Sequence, residues 1–171
     1  MKYAYLTISI LLVATLLFSA CDRADDASDV FTANQASYTL ASATEYNIQG
    51  VATFREKRNG DLQLTVQLEN TVAGGQHPGH LHYGTVDVPG STVALLLAPV
   101  DGETGTSVTT FNQLADGTSF GFDNLMGFDG SLKVHLDGGL NQDVVLAGAN
   151  VGQNSAALAD DIAVCNSLSD Q

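Results

Sequence analysis

The sequence predicts a single all-β domain, a Greek-key-like antiparallel sandwich or barrel of about eight strands. Three observations support this prediction. Short runs with an apolar residue at every second position recur along the chain, turns rich in glycine and aspartate separate them, and apolar patterns of helical period are almost absent. The stretch from Ser37 to Gly152 has the length of one such domain.

Residues 1–20 have the pattern of an export signal. Lys2 gives a positive start, and a nearly continuous apolar run extends from Ala4 to Phe18. The signal ends in LFSAC, which resembles the lipobox of bacterial lipoproteins, with Phe18 where an aliphatic residue is usual. This resemblance implies cleavage before Cys21 and lipidation of that cysteine. The protein is then expected in the bacterial cell envelope, anchored to the outer membrane and facing the periplasm or the cell surface.

An ordinary secretory signal is the alternative to a lipobox. In that case Cys21 is available for a disulfide with Cys165, whereas a lipidated Cys21 leaves Cys165 alone and the fold without a disulfide. Residues 21–36 are acidic, polar and small, which indicates a flexible tether that cannot form a core. The folded domain is therefore expected to begin at Ser37.

Two strands joined as a hairpin are the first elements expected in the domain. In the first strand, Gly50 lies among alternating apolar residues and marks a close approach of the backbone or a bulge. Asn59 and Gly60 indicate a two-residue turn of the primed type, which requires positive φ. The return strand, Asp61 to Glu69, alternates without exception. The alternating apolar residues of the first strand are Tyr46, Ile48, Ala52 and Phe54.

The second half of the domain is expected to hold further strands and one helical turn. Thr92 to Val100 is an apolar strand whose middle is expected to be buried on both faces. Asp123 to Phe128 indicates a single helical turn, and strands are predicted at Ser131 to Leu136 and Asp143 to Ala149. Residues 153–171 form a C-terminal tail in which a short helix is expected.

The charge of the chain restricts its partners. Six Lys and Arg stand against 19 Asp and Glu, giving a net charge of -13 at pH 7. Such a chain repels phosphate backbones, so a nucleic-acid partner is excluded. The sequence also contains no nucleophile motif, phosphate-binding loop or HExxH motif. These absences disfavour the common enzyme classes.

Three of the four histidines lie in one short stretch, QHPGHLHYG, from Gln76 to Gly84. In an extended segment His80 and His82 share one face, opposite to Leu81. The fourth, His135, lies in another predicted strand. If the two strands adjoin, the three imidazoles form a cluster, and neutral imidazole is a ligand for copper, zinc, iron or nickel.

His77 is a further candidate ligand. Because Pro78 and Gly79 follow it, His77 is expected in the turn before the strand, where it would hydrogen-bond outside the ligand set. A structural role for all four histidines is the alternative. A ligand role requires the nitrogens of His80, His82 and His135 to converge, whereas a structural role requires each nitrogen to pair with a carbonyl or carboxylate.

The two histidine motifs together resemble the CHRD (chordin-type) domain. The resemblance rests on His77 to Gly84, on FDGSLKVHL at Phe128 to Leu136, and on DVVLAGANVG at Asp143 to Gly152. That family carries an A-H-I-H-G-like strand early and a V-N-V-H-like strand late, and its bacterial members often occur in lipoproteins. The arginine of the closing I-R-G-Q motif is missing at Leu146 to Ala149. The resemblance implies an exported binding module, with a protein partner at the cell surface as one candidate.

A more distant resemblance is to copper,zinc superoxide dismutase. His77, His80 and His82 reproduce its H-x-x-H-x-H spacing, and His135 follows a valine as in its late strand. This implies copper on His80, His82 and His135, with His77 outside the ligand set. No histidine lies between His82 and His135, so the bridging ligand and the zinc site are missing, and no arginine follows His135 to guide superoxide. The sequence therefore favours a module that binds one copper or zinc ion over an enzyme, with a non-metal interaction domain as the alternative.

Overall fold

The computed structural model describes residues 30–156 and residue 162 of the 171-residue chain. The predicted export signal, Cys21, Cys165 and most of the C-terminal tail lie outside the described residues. The elements, in chain order, are β1 (Phe31–Ser42), β2 (Gln49–Lys57), β3 (Leu62–Glu69), β4 (Gln76–His77), β5 (Gly79–Tyr83), β6 (Val93–Leu96), β7 (Val100–Asp101), β8 (Thr106–Phe111), α1 (Phe122–Met126), β9 (Asp129–His135) and β10 (Val145–Gly152).

Eight of these strands form one antiparallel sheet in the order β6-β5-β9-β10-β1-β2-β3-β8, and β4 pairs with β7 in a small second sheet. The large sheet curls into a half-barrel, which confirms the all-β prediction. β5 lies between β6 and β9, so the histidine-rich strand is a neighbour of the strand that carries His135. Within the described residues no helix has the length and hydropathy needed to cross a membrane.

The buried apolar side chains of the strands form one hydrophobic core cluster. β3 supplies Leu62, Leu64, Val66 and Leu68, all buried, while the residues between them are partly or fully exposed, as the alternation predicts. Phe54 in β2 is completely buried and meets Tyr38 of β1 edge to face, at 5.8 Å between ring centroids.

The turn between β2 and β3 differs from the primed two-residue turn that the sequence predicts. Gly60 has φ of 89°, but Asn59 does not lie at positive φ. The Gly60 N–H donates to the Lys57 carbonyl oxygen at 2.9 Å, and the Lys57 N–H donates to that of Asp61 at 2.8 Å. The connection is therefore a longer turn with one left-handed glycine, a common alternative in hairpins.

Among the described residues the first strand begins at Phe31, whereas the composition predicts that the folded domain begins at Ser37. Residues 31–36 are therefore part of the sheet and not of the tether. β1 pairs with β2 from Phe31 onward, and the Arg55 guanidinium lies 3.8 Å from the Phe31 ring centroid. Polar composition suggests a tether, but backbone pairing does not require apolar side chains. Pairing with β2 therefore allows β1 to include residues 31–36.

The predicted strand from Thr92 to Val100 is wrong in its length and burial. The structure divides it into β6 and β7, and Leu96 is 66% exposed. Within β6 only Ala94 is buried, while Val93, Leu95 and Leu96 are partly or fully exposed, so this strand is not covered on both faces. The helical turn predicted at Asp123 to Phe128 is confirmed as α1, although it begins and ends slightly earlier.

Candidate metal centre

The pairing of β5 with β9 collects polar side chains on one face of the sheet. His80 lies opposite Lys133 and His82 opposite Ser131 in the antiparallel register. Because side chains alternate along a strand, His135 projects from the same face as Lys133. The other face of these strands carries core residues, among them Leu81, Leu132 and Val134.

Three histidines converge on this face. The ring centroids of His80 and His135 are 4.9 Å apart, those of His80 and His82 are 5.7 Å apart, and those of His82 and His135 are 6.2 Å apart. One ring nitrogen from each histidine lies within 4.8 Å of the other two. Imidazole ligands hold zinc at about 2.0–2.1 Å, so small side-chain rotations bring the three nitrogens onto one ion. The cluster of His80, His82 and His135 can hold a metal ion.

A hydrogen bond fixes the ring of His82. Its Nδ1 lies 2.9 Å from the Ser91 carbonyl oxygen, and because a carbonyl only accepts, Nδ1 carries the proton. In the neutral ring the lone pair is then on Nε2. Metal-binding histidines are commonly oriented in this way by a carbonyl on their second nitrogen.

The segment between β5 and β6 covers the polar face. The Lys133 ammonium donates to the Val88 carbonyl oxygen at 3.1 Å, and the Val86 N–H donates to Oδ1 of Asn150 at 2.7 Å. Ser91 in the same segment meets His82. The covering segment, residues 84–92, is therefore tied to the sheet beside the histidine cluster, and Lys133 beneath it is completely buried.

Burial keeps the cluster neutral. Desolvation lowers the pKa of His80 below its ordinary value and lowers the pKa of His82 and of His135 to about 4. At His82 the bond to Ser91 opposes this effect, and the positive charge of Lys133 adds to it. At His135 the neighbouring His80 and His82 add to it. All three are therefore uncharged at pH 7, the state in which imidazole binds metals.

His77 stands outside the cluster. It is 2% exposed, and its Nδ1 donates to the Leu136 carbonyl oxygen at 2.8 Å. This bond ties β4 to the residue that follows His135. Its partner is a backbone carbonyl and not a ring of the cluster. The expectation that His77 lies in a turn is wrong, because His77 is in strand β4 and pairs with Val100 of β7.

Replacement of His77 by phenylalanine is expected to lower the free energy of unfolding by about 1–3 kcal/mol, because the Leu136 carbonyl loses its donor in a buried place. The number of metal ions bound per chain should not change, because His77 is not in the cluster. Chemical denaturation and metal titration of the variant measure the two effects. A lower metal stoichiometry would instead place His77 among the ligands.

Two parts of the site were not recognised from the sequence. Lys133 shares the face of His135 by simple alternation, but nothing local indicates that it is buried. The role of residues 84–92 depends on their folding back over a sheet whose strands come from distant parts of the chain. The predicted lipidation site, Cys21, lies outside the described residues.

The site offers three neutral imidazoles, a buried ammonium and a covering segment. Comparison of the chain with protein-family models, with curated proteins and with solved structures found no match.

Proposed function

We propose that the chain is an exported, lipid-anchored binding module of the CHRD type that holds one copper ion on His80, His82 and His135. The observation that supports the proposal is the convergence of three neutral imidazoles within 4.8 Å, those of His82 and His135 buried and that of His80 partly buried. Uncharged imidazoles at pH 7 need lose no proton before they bind a cation.

The donor set restricts the metal. Within the described residues the cluster contains histidines and no carboxylate. Calcium and magnesium prefer oxygen ligands, so an all-imidazole set favours a transition metal. Among divalent first-row ions copper binds a given nitrogen site most tightly, and the resemblance to the copper strands of superoxide dismutase supports the same metal. Zinc is the second candidate.

Binding is favoured over catalysis on superoxide for an electrostatic reason. The net charge of -13 repels anions. Among the described residues, Lys133 is the cation whose charge acts on His82 and His135, but it is completely buried and donates to the Val88 carbonyl. It is therefore poorly placed to attract an anionic substrate from solution.

A structural role for the histidines is the second candidate function. It is favoured by the bonds from His82 to the Ser91 carbonyl and from His77 to the Leu136 carbonyl, which join separate segments. In that case the domain is a non-metal interaction module, with a protein partner at the cell surface. If the cluster binds a metal, Nε2 of His82 is a ligand; if the histidines are structural, it is not. Metal titration distinguishes the two candidates.

The cellular localisation of the protein is proposed from its N-terminal residues. The LFSAC stretch resembles a lipobox, so Cys21 is proposed to carry lipid and residues 22–30 to connect it to β1. The domain would then act at the bacterial cell envelope.

Calorimetric titration of the purified chain with copper and with zinc tests the metal proposal. The natural chain is expected to bind one copper ion saturably, and the His80→Ala/His82→Ala double variant to lose that binding, because a single imidazole remains at the cluster. Loss of an outer-shell partner of a metal ligand already weakens affinity by about 10–100-fold, so loss of two of the three ligands themselves should weaken it by more than about 100-fold.

His77→Phe is the matched control, since it removes a buried histidine outside the cluster. If the natural chain binds copper no better than the double variant, the structural role is favoured. If zinc binds and copper does not, the cluster is a metal site but the copper assignment is wrong. Circular dichroism of each variant shows whether the fold is intact.

A further inference from the structure

A cavity of about 410 Å³ lies apart from the histidine cluster. It is bounded by the segment before β2, by the turn between β3 and β4, and by the residues that follow β9. Its apolar wall is formed by Ile48, Val72 and Leu136, and Tyr46 lies beside them. None of the three cluster histidines lines it. Cavities of roughly 300–1,000 Å³ with apolar walls and few polar groups are typical small-molecule sites.

His77 supplies an unused hydrogen-bond acceptor at this cavity. Because Nδ1 donates to the Leu136 carbonyl, the neutral ring carries its lone pair on Nε2. Nε2 is buried and has no hydrogen-bond partner among the described residues. It faces Gly75, another wall residue, where an added Cβ would lie 3.0 Å from it. A buried acceptor left in this state is unusual, and a bound donor would satisfy it.

Asp137 adds a negative charge to the same wall. Its carboxylate accepts from the Gly139 N–H at 2.7 Å and from the Asn141 side-chain amide at 2.9 Å. These groups of its own turn hold the carboxylate in place, but they are neutral. An aspartate carboxylate with its ordinary pKa is ionised at pH 7.

We propose that this cavity binds a small primary amine with an apolar chain. The ammonium group would donate to Asp137 and to Nε2 of His77, and the apolar chain would pack against Ile48, Val72 and Leu136. Tyr46, which is 53% exposed, offers an aromatic face to the cation at the edge of the cavity.

The polar groups of the cavity favour a positively charged ligand over a negative or neutral one. Asp137 and Nε2 of His77 both accept hydrogen bonds, and an ammonium carries three donors and no acceptor. A carboxylate ligand would meet Asp137 with like charge, and a neutral alcohol would leave that charge unpaired. Because the backbone of Gly75 covers Nε2, full engagement of His77 requires the turn at Val72 to Gly75 to move outward. Val72 in this turn is 63% exposed.

Titration of the purified chain with hexylamine, hexanol and hexanoate, followed by calorimetry at pH 7, tests the proposal. Hexylamine is expected to bind saturably, and hexanol and hexanoate at least about tenfold more weakly, a margin typical of a lost charge-assisted hydrogen bond. Asp137→Asn keeps oxygen and amide groups for the turn but removes the charge, and should weaken hexylamine binding by at least about tenfold.

Glu103→Gln is the matched control, because it removes one exposed carboxylate that does not line the cavity. Val72→Trp is a second test that leaves the carboxylate in place, since a larger side chain at this exposed position should fill the entrance and reduce hexylamine binding. Equal binding of hexanol and hexylamine, unchanged binding by Asp137→Asn, or no binding of hexylamine would each overturn the proposal. Copper binding by the same samples reports the separate histidine site.

Discussion

Replacement of Gly50 by alanine is expected to lower the free energy of unfolding by about 3 kcal/mol or more. Gly50 pairs with Leu40 of β1 and Leu68 of β3, in the middle of the large sheet. A Cβ at this position would lie on the Gln67 carbonyl oxygen and 2.9 Å from Cα of Leu68. Both are backbone atoms of a paired strand, so relief requires that β2 and β3 move apart.

Thermal unfolding followed by circular dichroism measures this effect. For a domain of this size, a loss of about 3 kcal/mol lowers the melting temperature by roughly 10 °C. Gly127→Ala is the matched control: its φ is -95°, and the nearest atom to an added Cβ is the Asn124 carbonyl oxygen at 4.0 Å. The control should change the free energy of unfolding by less than about 0.5 kcal/mol. Equal melting temperatures for the two variants would show that the sheet tolerates a side chain at Gly50.

Gly50 also shows how far local pattern predicts the fold. A glycine within an alternating apolar strand indicates either a bulge or a close approach. The pairing of β2 is regular on both sides of Gly50, so the close approach is the correct alternative. Alternation likewise predicts the burial of β3, because one residue in two must face the core whichever strands are neighbours. Tyr46 departs from the pattern, since it is 53% exposed, whereas Ile48, which also precedes β2, is buried.

The candidate site is less predictable because its parts come from separate strands. Alternation alone places His80 and His82 on one face. Their proximity to His135 depends on β9 being the neighbour of β5, and this order is not encoded in either strand. The burial of Lys133 depends on a third segment, which covers the face only when Val88 and Ser91 find their partners. Alternation in a sequence predicts which residues share a face of a strand, but it predicts neither the neighbouring strand nor the segment that covers that face.

Mild acid is expected to destabilise the metal-free protein by several kcal/mol. In the unfolded chain a histidine titrates near pH 6.5, whereas His82 and His135 in the folded protein have pKa values lowered to about 4. Between these pH values the unfolded state binds more protons, so the free energy of unfolding falls as the pH is lowered from 6.5 to 4. Each histidine contributes at most about 3 kcal/mol. The sum is smaller, because part of the shift at His135 is repulsion from His82.

Chemical denaturation of metal-free protein at several pH values between 6.5 and 4.5 measures this dependence. Hydrogen bonds lower the pKa values of Asp101, Asp116 and Asp137. These carboxylates therefore become protonated, and their contribution to the free energy of unfolding is lost, only below this pH window. His82→Gln removes one titrating ring and should reduce the slope of the free energy of unfolding against pH. Replacement of one of these aspartates should leave that slope unchanged. A free energy of unfolding that does not vary across this window would contradict the burial of the cluster.

Metal should protect the protein in the same pH range. A bound copper ion occupies the nitrogens that acid would protonate, so protons must displace it before the rings can charge. Because the rings of His82 and His135 charge only near pH 4, copper affinity is expected to change little from pH 7 to pH 5, whereas affinity at exposed histidines falls below pH 6.5. Calorimetric titration with copper at pH 7 and at pH 5 distinguishes binding at the buried cluster from binding at exposed histidines. A steep loss of affinity at pH 5 would mean that the metal is held by histidines exposed to solvent and not by this cluster.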